Sequence, residues 1–209
     1  VHKVIVDPHS GTNASNMHLY AITKSNPNRV VWKSTDGGQT WTDMNATTLP
    51  THSFWVDIEI DQNGKLFCVA QASFSTDARL YTHTTGGGWV NSTSALTSGT
   101  PASIRVAKPD GNTVFASIDI GTRQVMKSTN SGTSWTVLGI TTGAGGAGAK
   151  HQLEYAPSID KVYIGSVRLV EMDGTSGSHS FKDQGHVDIR DIHFVESGGN
   201  VFVYTANDG

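Results

Sequence analysis

The densest cluster of polar side chains lies between His186 and His193. On an extended strand, alternation places His186, Asp188 and Arg190 on one side, with Asp191 and His193 close by. An aspartate and an arginine so placed can form a partly buried ion pair, since charged groups that leave water need a partner. If they stay accessible, the same groups can hydrogen-bond a sugar or a peptide. The segment therefore predicts either a structural ion pair or a ligand-binding site that includes His186, Asp188, Arg190 and His193.

The same segment could also supply half of a catalytic pair. Glycoside hydrolysis uses two carboxyl groups about 5 Å apart for retention of configuration, or roughly 6.5–9.5 Å apart for inversion. Asp188 or Asp191 could be one of them, and Asp57 and Glu59, on the matching strand of an earlier part of the chain, are the candidate partners. Hydrolysis is therefore an alternative to binding for this segment.

Trp55 is a further candidate for ligand binding. It stands just before an apolar strand and does not recur elsewhere in the chain, so it could stack on a sugar ring or pack in the core. A metal site is not expected, because the histidines and aspartates of the polar segment alternate around a strand instead of converging. The sequence indicates no other cofactor.

These candidates are set within a repeated eight-residue window. It reads STDGGQTW from Ser34 to Trp41 and STNSGTSW from Ser128 to Trp135, with weaker copies at 82–89 and 174–181. The aromatic residues that end the windows, at positions 41, 89, 135 and 181, are 46 to 48 residues apart. A period of this length, with strand-like segments between the copies, predicts an all-β β-propeller.

Each window reads as a tight structural turn. An Asp or Asn side chain can accept backbone N–H bonds, the following Gly supplies a positive φ, and the Trp packs over the sheet. We expect Trp89 to pack in the same way. The residues expected to form the turns are Ser34, Asp36, Gly38 and Trp41 in the first copy, and Ser128, Asn130, Gly132 and Trp135 in the second.

The windows resemble the Asp-box, or BNR repeat, of sortilin-type, xyloglucanase-type and sialidase propellers, although Asn130 replaces the Asp in the second copy. The His-x-Asp-x-Arg segment and the final Asn-Asp-Gly also resemble a recurring segment of the sortilin and xyloglucanase types. In these families the box is a structural turn away from the active site. The resemblance implies a secreted or surface module that binds a carbohydrate or a protein at its channel face. The alternative is part of a polysaccharide-degrading glycoside hydrolase; a sialidase is disfavoured, because the Arg-Ile-Pro signature is missing.

Apolar–polar alternation divides the chain into repeats at about 1–50, 51–98, 99–145 and 146–185, with an incomplete one at 186–209. Each complete unit reads as strand, tight turn, strand, loop, strand and window, and no helix is expected. We treat residues 1–209 as one propeller domain of four-stranded antiparallel blades. About four and a half units predict a segment of a larger propeller whose further blades come from the same parent protein, since an open array leaves exposed edges. The alternative is a four- or five-bladed ring closed by this chain alone.

Composition excludes several classes of function. The net charge is −3, without a run of like charges, so no nucleic-acid partner is expected. No apolar stretch approaches the roughly 20 residues of a membrane span. The single cysteine, Cys68, lies in an apolar strand and is expected to be a core residue. Sequons occur at Asn13, Asn45 and Asn91, and an extracellular or cell-surface location is expected from the resemblance alone.

Overall fold

The computed structural model describes residues 3–23, 31–44, 53–72, 78–91, 103–120, 122–141, 151–182 and 189–207. They form four four-stranded antiparallel sheets, here called blades 1 to 4, and one two-stranded sheet, here called the fifth sheet. Within every sheet, strands that are neighbours in sequence are neighbours in space. The architecture confirms the predicted propeller of four-stranded blades.

The strands follow one another in chain order. Blade 1 contains β1 (Lys3–Val6), β2 (Leu19–Ile22), β3 (Val31–Ser34) and β4 (Thr42–Asp43), and blade 2 contains β5 (Ser53–Ile60), β6 (Leu66–Ala72), β7 (Ala78–His83) and β8 (Trp89–Asn91). Blade 3 contains β9 (Ser103–Val106), β10 (Val114–Asp119), β11 (Arg123–Ser128) and β12 (Thr136–Thr141), and blade 4 contains β13 (Gln152–Ala156), β14 (Lys161–Gly165), β15 (Leu169–Asp173) and β16 (His179–Phe181). The fifth sheet pairs β17 (Ile189–Ser197) with β18 (Asn200–Asn207).

One local element differs from the sequence prediction. A single 3₁₀ turn, Pro157–Ile159, joins β13 to β14, where a turn without helix was expected. Pro157 presets the φ angle of the first helical position, and Asp160 ends the turn in the left-handed region at φ 49°. The turn is local and leaves the order of the strands unchanged.

The first strand of each sheet lies innermost. β1 packs beside β5, β5 beside β9, β9 beside β13, and β13 beside β17. These strands therefore define the wall of the central channel, and the remaining strands of each blade extend outward. Side chains of the inner strands that are neither in the core nor in a turn are the ones able to meet a ligand in the channel.

The hydrophobic core is divided into layers between successive sheets. Each blade has a preceding face, towards the sheet before it in the chain, and a following face, towards the sheet after it. In β6, for example, Cys68 packs towards blade 1, whereas Phe67 and Val69 pack towards blade 3. Cys68 is 1% exposed, which fits the predicted core role, and burial raises the pKa of its thiol. Alternation along each strand thus supplies two core layers at once.

Among the described residues, no helix is both long enough and apolar enough to cross a membrane.

Candidate functional site

Strand pairing identifies the equivalent inner-strand position in all five sheets. The second strands align as four-residue segments that begin at Leu19, Leu66, Val114, Val162 and Val201. The inner-strand partners of the fourth residue in these segments are Lys3, Asp57, Arg105, Gln152 and His193. Five equivalent positions therefore carry five different polar residues, which we call the channel level.

Four residues of the channel level line one cavity. Lys3, Asp57, Arg105 and Gln152 share it with Arg190 and Asp191 of β17, and its volume is about 420 Å³. Each of the five inner strands contributes at least one side chain to the cavity: β1, β5, β9, β13 and β17. The cavity lies at the ends where the inner strands begin, whereas the repeat windows lie at the opposite ends of the blades.

Asp57 is held in the cavity wall by several hydrogen bonds. Its carboxylate accepts hydrogen bonds from Lys3 Nζ at 3.0 Å, from the Val106 N–H at 3.0 Å and from the Ile58 N–H at 3.0 Å. Lys3 also donates to Glu59, so one ammonium group joins two carboxylates. Because Asp57 is only 3% exposed, these bonds are needed to hold its charge away from water.

The electrostatics follow from this arrangement. Burial alone favours the neutral form of Asp57, but Lys3, Arg105 and the Val106 N–H outweigh it, and the pKa of Asp57 lies below its ordinary value. Burial likewise opposes the charge of Lys3, yet the two carboxylates raise the pKa of Lys3. For Glu59, burial is the largest effect and, with the nearby Asp57 charge, it raises the pKa despite Lys3. Asp57 therefore stays ionised and is unsuited to act as a general acid.

Glu154 is a carboxyl group that the sequence did not single out. It lies in β13, two residues after Gln152, and is half-buried. Burial and the negative charges of Glu59, Asp191 and Asp57, opposed by Lys3, raise the pKa of Glu154 to about 7. A carboxyl group that is protonated near neutral pH can donate a proton or a hydrogen bond. The sequence does not show this environment, because the charged groups that create it belong to three other repeats and are brought close only by the fold.

The predicted site residues are brought together only in part. Arg190 and Asp191 line the cavity together with Asp57, and Gln152 Nε2 donates to the Arg190 carbonyl at 3.0 Å. His193 shares the channel level but is exposed. His186, Asp188 and the Trp55 side chain lie outside the described residues. Lys3, Arg105 and Gln152 were not proposed as site residues, and their equivalence appears only once strand register is known.

A second polar cluster is buried beside the cavity, between blades 3 and 4. His151 is 0% exposed and its Nε2 bonds the Ser117 hydroxyl, while Arg123 donates to Asp119 at 3.2 Å. Burial and the guanidinium groups of Arg123 and Arg105 lower the pKa of His151 well below its ordinary value. His151 is therefore neutral in the folded protein, and its complete burial keeps it from any ligand.

The two clear repeat windows form the same turn. In the first, Ser34 Oγ donates to Asp36 Oδ1 at 2.8 Å and accepts the Gly38 N–H at 2.8 Å, and the Thr40 N–H donates to Asp36 Oδ1 at 2.9 Å. Trp41 Nε1 donates to the Gly38 carbonyl at 3.0 Å. The turn is closed mainly by its own side chains, with a further bond from the Gly37 N–H to the Met17 carbonyl at 3.0 Å, and it lies on the side of the molecule away from the cavity.

In the second window an amide replaces the carboxylate without changing the turn. Ser128 Oγ donates to Asn130 Oδ1 at 2.9 Å, and the Gly132 N–H donates to Ser128 Oγ at 2.9 Å. Asn130 Nδ2 donates to Ser134 Oγ at 2.9 Å, whereas Asp36 accepts from a hydroxyl at the matching place. Asparagine is thus compatible with the turn because it offers both an acceptor and a donor.

The window tryptophans differ in their surroundings. Trp89 is 5% exposed and its Nε1 donates to the Met44 carbonyl, and Trp135 packs against the core layer between blades 2 and 3. Trp41 is 37% exposed, contrary to the expectation that it packs like the others. The difference arises because Trp41 lies on the preceding face of blade 1, where the described residues include no earlier blade.

Within the described ranges, no group of three or more His, Cys, Asp or Glu side chains is placed to hold a metal ion. Asn13 and Asn91 are exposed, and Asn45 lies outside the described residues.

Comparison with known proteins supports the fold. No protein-family model matches the chain, and no curated protein sequence matches it. Among solved structures, the GH74 enzyme of Niastella koreensis is similar at 18% identity and a TM-score of 0.61, over 92% of this chain and 33% of the enzyme. The chain thus spans about a third of that enzyme's length.

Two binding proteins are also similar. The Aleuria aurantia lectin in complex with alpha-methyl-L-fucoside matches at 11% identity and a TM-score of 0.63, over 98% of this chain and 71% of the lectin. The nidogen/laminin complex matches at 13% identity and a TM-score of 0.58, over 90% of this chain and 67% of the matched chain. Like these propellers, the chain consists of antiparallel blades around a central channel, and it has the β-propeller fold.

Proposed function

We propose that the protein is a carbohydrate-binding β-propeller module whose channel cavity receives a neutral, hydroxyl-rich ligand. The observation that carries the proposal is the channel level. At equivalent positions most of the core-facing residues of the repeats are apolar, whereas the channel residues are lysine, aspartate, arginine, glutamine and histidine. Repeats that share a largely apolar core but differ in residue type at the channel form a site of mixed chemistry at one place.

The charges of the cavity favour a neutral ligand. Lys3, Arg105 and Arg190 are balanced by Asp57 and Asp191, with Glu59 bonded to Lys3. Such a lining gives no strong field for a polyanion or a polycation, but it offers many donors and acceptors. Sugars present hydroxyl groups that both donate and accept, so a mixed lining suits them. A volume of about 420 Å³ is in the range of small-ligand sites.

The two repeat turns support a finer assignment within the same proposal. Their Ser–Asp–Gly–Trp and Ser–Asn–Gly–Trp pattern resembles the Asp-box of sortilin-type and xyloglucanase-type propellers. Proteins of these types are secreted or lie at the cell surface, and we assign this protein the same location. The exposed sequon residues Asn13 and Asn91 are compatible with that assignment.

Glu154 favours a second candidate function, part of a glycoside hydrolase. Burial, followed by the nearby carboxyl groups of Glu59, Asp191 and Asp57, raises the pKa of Glu154 to about 7, which suits a general acid. Under this alternative Glu154 protonates the leaving oxygen and Asp191 is the second carboxylate, since Asp57 is occupied by Lys3 and backbone N–H groups. The proposal differs from the sequence prediction by adding Glu154.

The test is calorimetric titration with xyloglucan oligosaccharides and with alpha-methyl-L-fucoside. Arg190→Ala and Asp191→Asn, both at exposed positions, should weaken binding at least tenfold while the melting temperature changes little; Lys182→Ala, far out on blade 4, is the control. Binding that survives both changes would contradict a channel site. Product formation that is lost in Glu154→Gln would favour the hydrolase.

A further inference from the structure

A second cavity lies between blades 2 and 3, at the ends of the blades that carry the repeat windows. Its volume is about 350 Å³. The polar residues that line it are Lys65, Thr82, Thr84 and Asn91 from blade 2, and Ser131 and Thr133 from the window Ser128–Trp135. We call it the window cavity. It is separate from the channel cavity, since the two share no described lining residue.

Strand register explains why a cavity forms in this layer. In blades 1 to 3 the second residue of the aligned second-strand segment is aromatic and packs towards the following blade; these residues are Tyr20, Phe67 and Phe115. Their partners on the third strand are Lys33, Thr82 and Lys127. Because cross-strand partners point to the same face of a sheet, all three partners lie towards the following blade.

In blade 3 the lysine at this position crosses to the next blade. Lys127 Nζ lies 5.4 Å from the centre of the Phe115 ring and donates to the Gly174 carbonyl of blade 4. The lysine thereby spans the layer between blades 3 and 4. Thr82, at the same position in blade 2, has a much shorter side chain that does not span the layer between blades 2 and 3. The window cavity therefore occupies the place that a lysine side chain takes in the next blade.

The window cavity carries a single positive charge. Among its described lining residues only Lys65 is charged. The Lys65 side chain is half-buried, and its Nζ lies 5.1 Å from the centre of the Phe67 ring. No carboxylate in the described part of the chain forms an ion pair with Lys65. The channel cavity instead balances its cations with Asp57 and Asp191. The window cavity therefore favours a ligand with one negative charge.

The other polar groups of the window cavity suit the hydroxyl groups of a sugar. Ser131 Oγ donates to Asn112 Oδ1 at 2.9 Å, and Thr133 Oγ1 donates to the Asn130 carbonyl at 2.9 Å. Because these two hydroxyls use their protons within the protein, their oxygens can accept hydrogen bonds from a ligand. The two threonine hydroxyls of blade 2 and the Asn91 amide can both donate and accept.

We infer that the window cavity is a second ligand-binding site and that its ligand is an acidic sugar, a ring that carries hydroxyl groups and one carboxylate. The carboxylate lies at Lys65, and the ring hydroxyls meet the serine and threonine side chains. Val90, which lines the cavity and is 64% exposed, packs against the C–H groups of the ring. This ligand differs in charge from the neutral one proposed for the channel, and either site can exist without the other.

The test follows the backbone amide resonances of the protein during titration with D-glucuronate, with D-glucose as the neutral match. Glucuronate should shift the resonances of the lining residues Thr82, Asn91, Ser131 and Thr133 in a saturable way. Glucose should bind at least about tenfold more weakly, because hydrogen bonds to charged groups are the stronger ones. Equal affinities for the two sugars, shifts confined to the channel, or no shift near the window cavity would overturn the inference. Acetate that binds as tightly as glucuronate would also overturn it, since the site would then hold an anion without recognising a sugar.

Two variants connect the binding to the cavity. Lys65→Met removes the charge but keeps a long side chain over Phe67, and it should weaken glucuronate binding at least about tenfold. Thr82→Met fills the cavity with an uncharged side chain of about the length of lysine, and it should abolish the binding without lowering the melting temperature. Lys182→Met, on blade 4, is the control and should bind glucuronate as the wild type does. Wild-type affinity in either Lys65→Met or Thr82→Met would contradict a site at the window cavity.

Discussion

Gly132 offers a direct test of how the repeat turns pack on the preceding blade. It has φ +80°, and a Cβ atom added there would lie 2.0 Å from Leu80 Cδ2 of blade 2. Leu80 is 0% exposed, so the surrounding core limits how far its methyl group can move. Gly132→Ala should therefore cost both the left-handed backbone penalty, about 1–2 kcal/mol, and an overpacking penalty of about 1–3 kcal/mol.

Gly86 is the matched control. Its φ is +79°, nearly the same as that of Gly132, but an added Cβ would meet nothing within 4 Å. Gly86→Ala should thus cost the backbone penalty alone, about 1–2 kcal/mol. Urea denaturation of both variants at one pH gives the difference, which we expect to be about 1–3 kcal/mol in the free energy of unfolding. Equal costs for the two variants would refute the close contact between the second window and blade 2.

Leu80 provides a further check through a double-mutant cycle. In a Leu80→Ala background the methyl group that meets position 132 is gone, so Gly132→Ala should cost only the backbone penalty. A favourable coupling energy of at least about 1 kcal/mol is expected. Additive costs would show that the strain arises elsewhere.

Three further predictions concern the core, the pH dependence and the channel. Trp135→Ala should lower the free energy of unfolding by about 3 kcal/mol, and Trp41→Ala by about 1 kcal/mol or less, because of these two residues only Trp135 packs in a core layer. Urea denaturation measures both changes, and equal losses would contradict this difference in packing. Because the pKa of His151 is lowered, the unfolded chain takes up a proton below pH about 6.5 that the folded protein does not. The contribution of His151 to stability therefore falls as the pH decreases, by at most about 1.4 kcal/mol per pH unit, whereas Glu154, with its raised pKa of about 7, contributes in the opposite direction. The difference in stability between the wild type and His151→Asn should therefore decrease as the pH falls below about 6.5, and the difference between the wild type and His179→Asn, at an exposed site, should not. Lys3→Met leaves Asp57 and Glu59 without their shared cation and should cost about 2 kcal/mol at pH 7, less than for a fully buried pair because the Lys3 side chain is 31% exposed. Lys182→Met, whose pair with Glu171 is surface-exposed, should cost under about 0.5 kcal/mol, and the same loss for both lysines would argue against the Lys3 network.

The fold was predictable because the repeat can be recognised from the types of residue that recur at its turns. The Ser, Gly and Trp positions of the two clear windows, 34–41 and 128–135, recur unchanged, and the turns they form depend on local bonds such as that between Ser34 and Asp36. The exposure of the window tryptophans was not predictable, since Trp41 and Trp135 occupy the same position and differ only in whether a blade lies before them. The sequence of one repeat does not show whether another blade packs against it.

The candidate site was predictable only in part, for a related reason. Asp57, Arg190 and Asp191 could be selected as charged residues on inner strands, but Lys3, Arg105 and Gln152 have no residue type in common that would mark them as equivalent. Their equivalence follows from strand register, which a one-residue shift would destroy. Glu154 became a candidate only because charges from three other repeats surround it and raise its pKa.

The measurement that tests the central claim most directly is a calorimetric titration of xyloglucan oligosaccharides into the wild-type protein and into Asp191→Asn. A channel-level binding site predicts saturable heat with the wild type and at least tenfold weaker binding with the variant, at an unchanged melting temperature. The same affinity for both proteins, or no binding of these sugars to the wild type, would contradict the assignment of the channel cavity as a carbohydrate site.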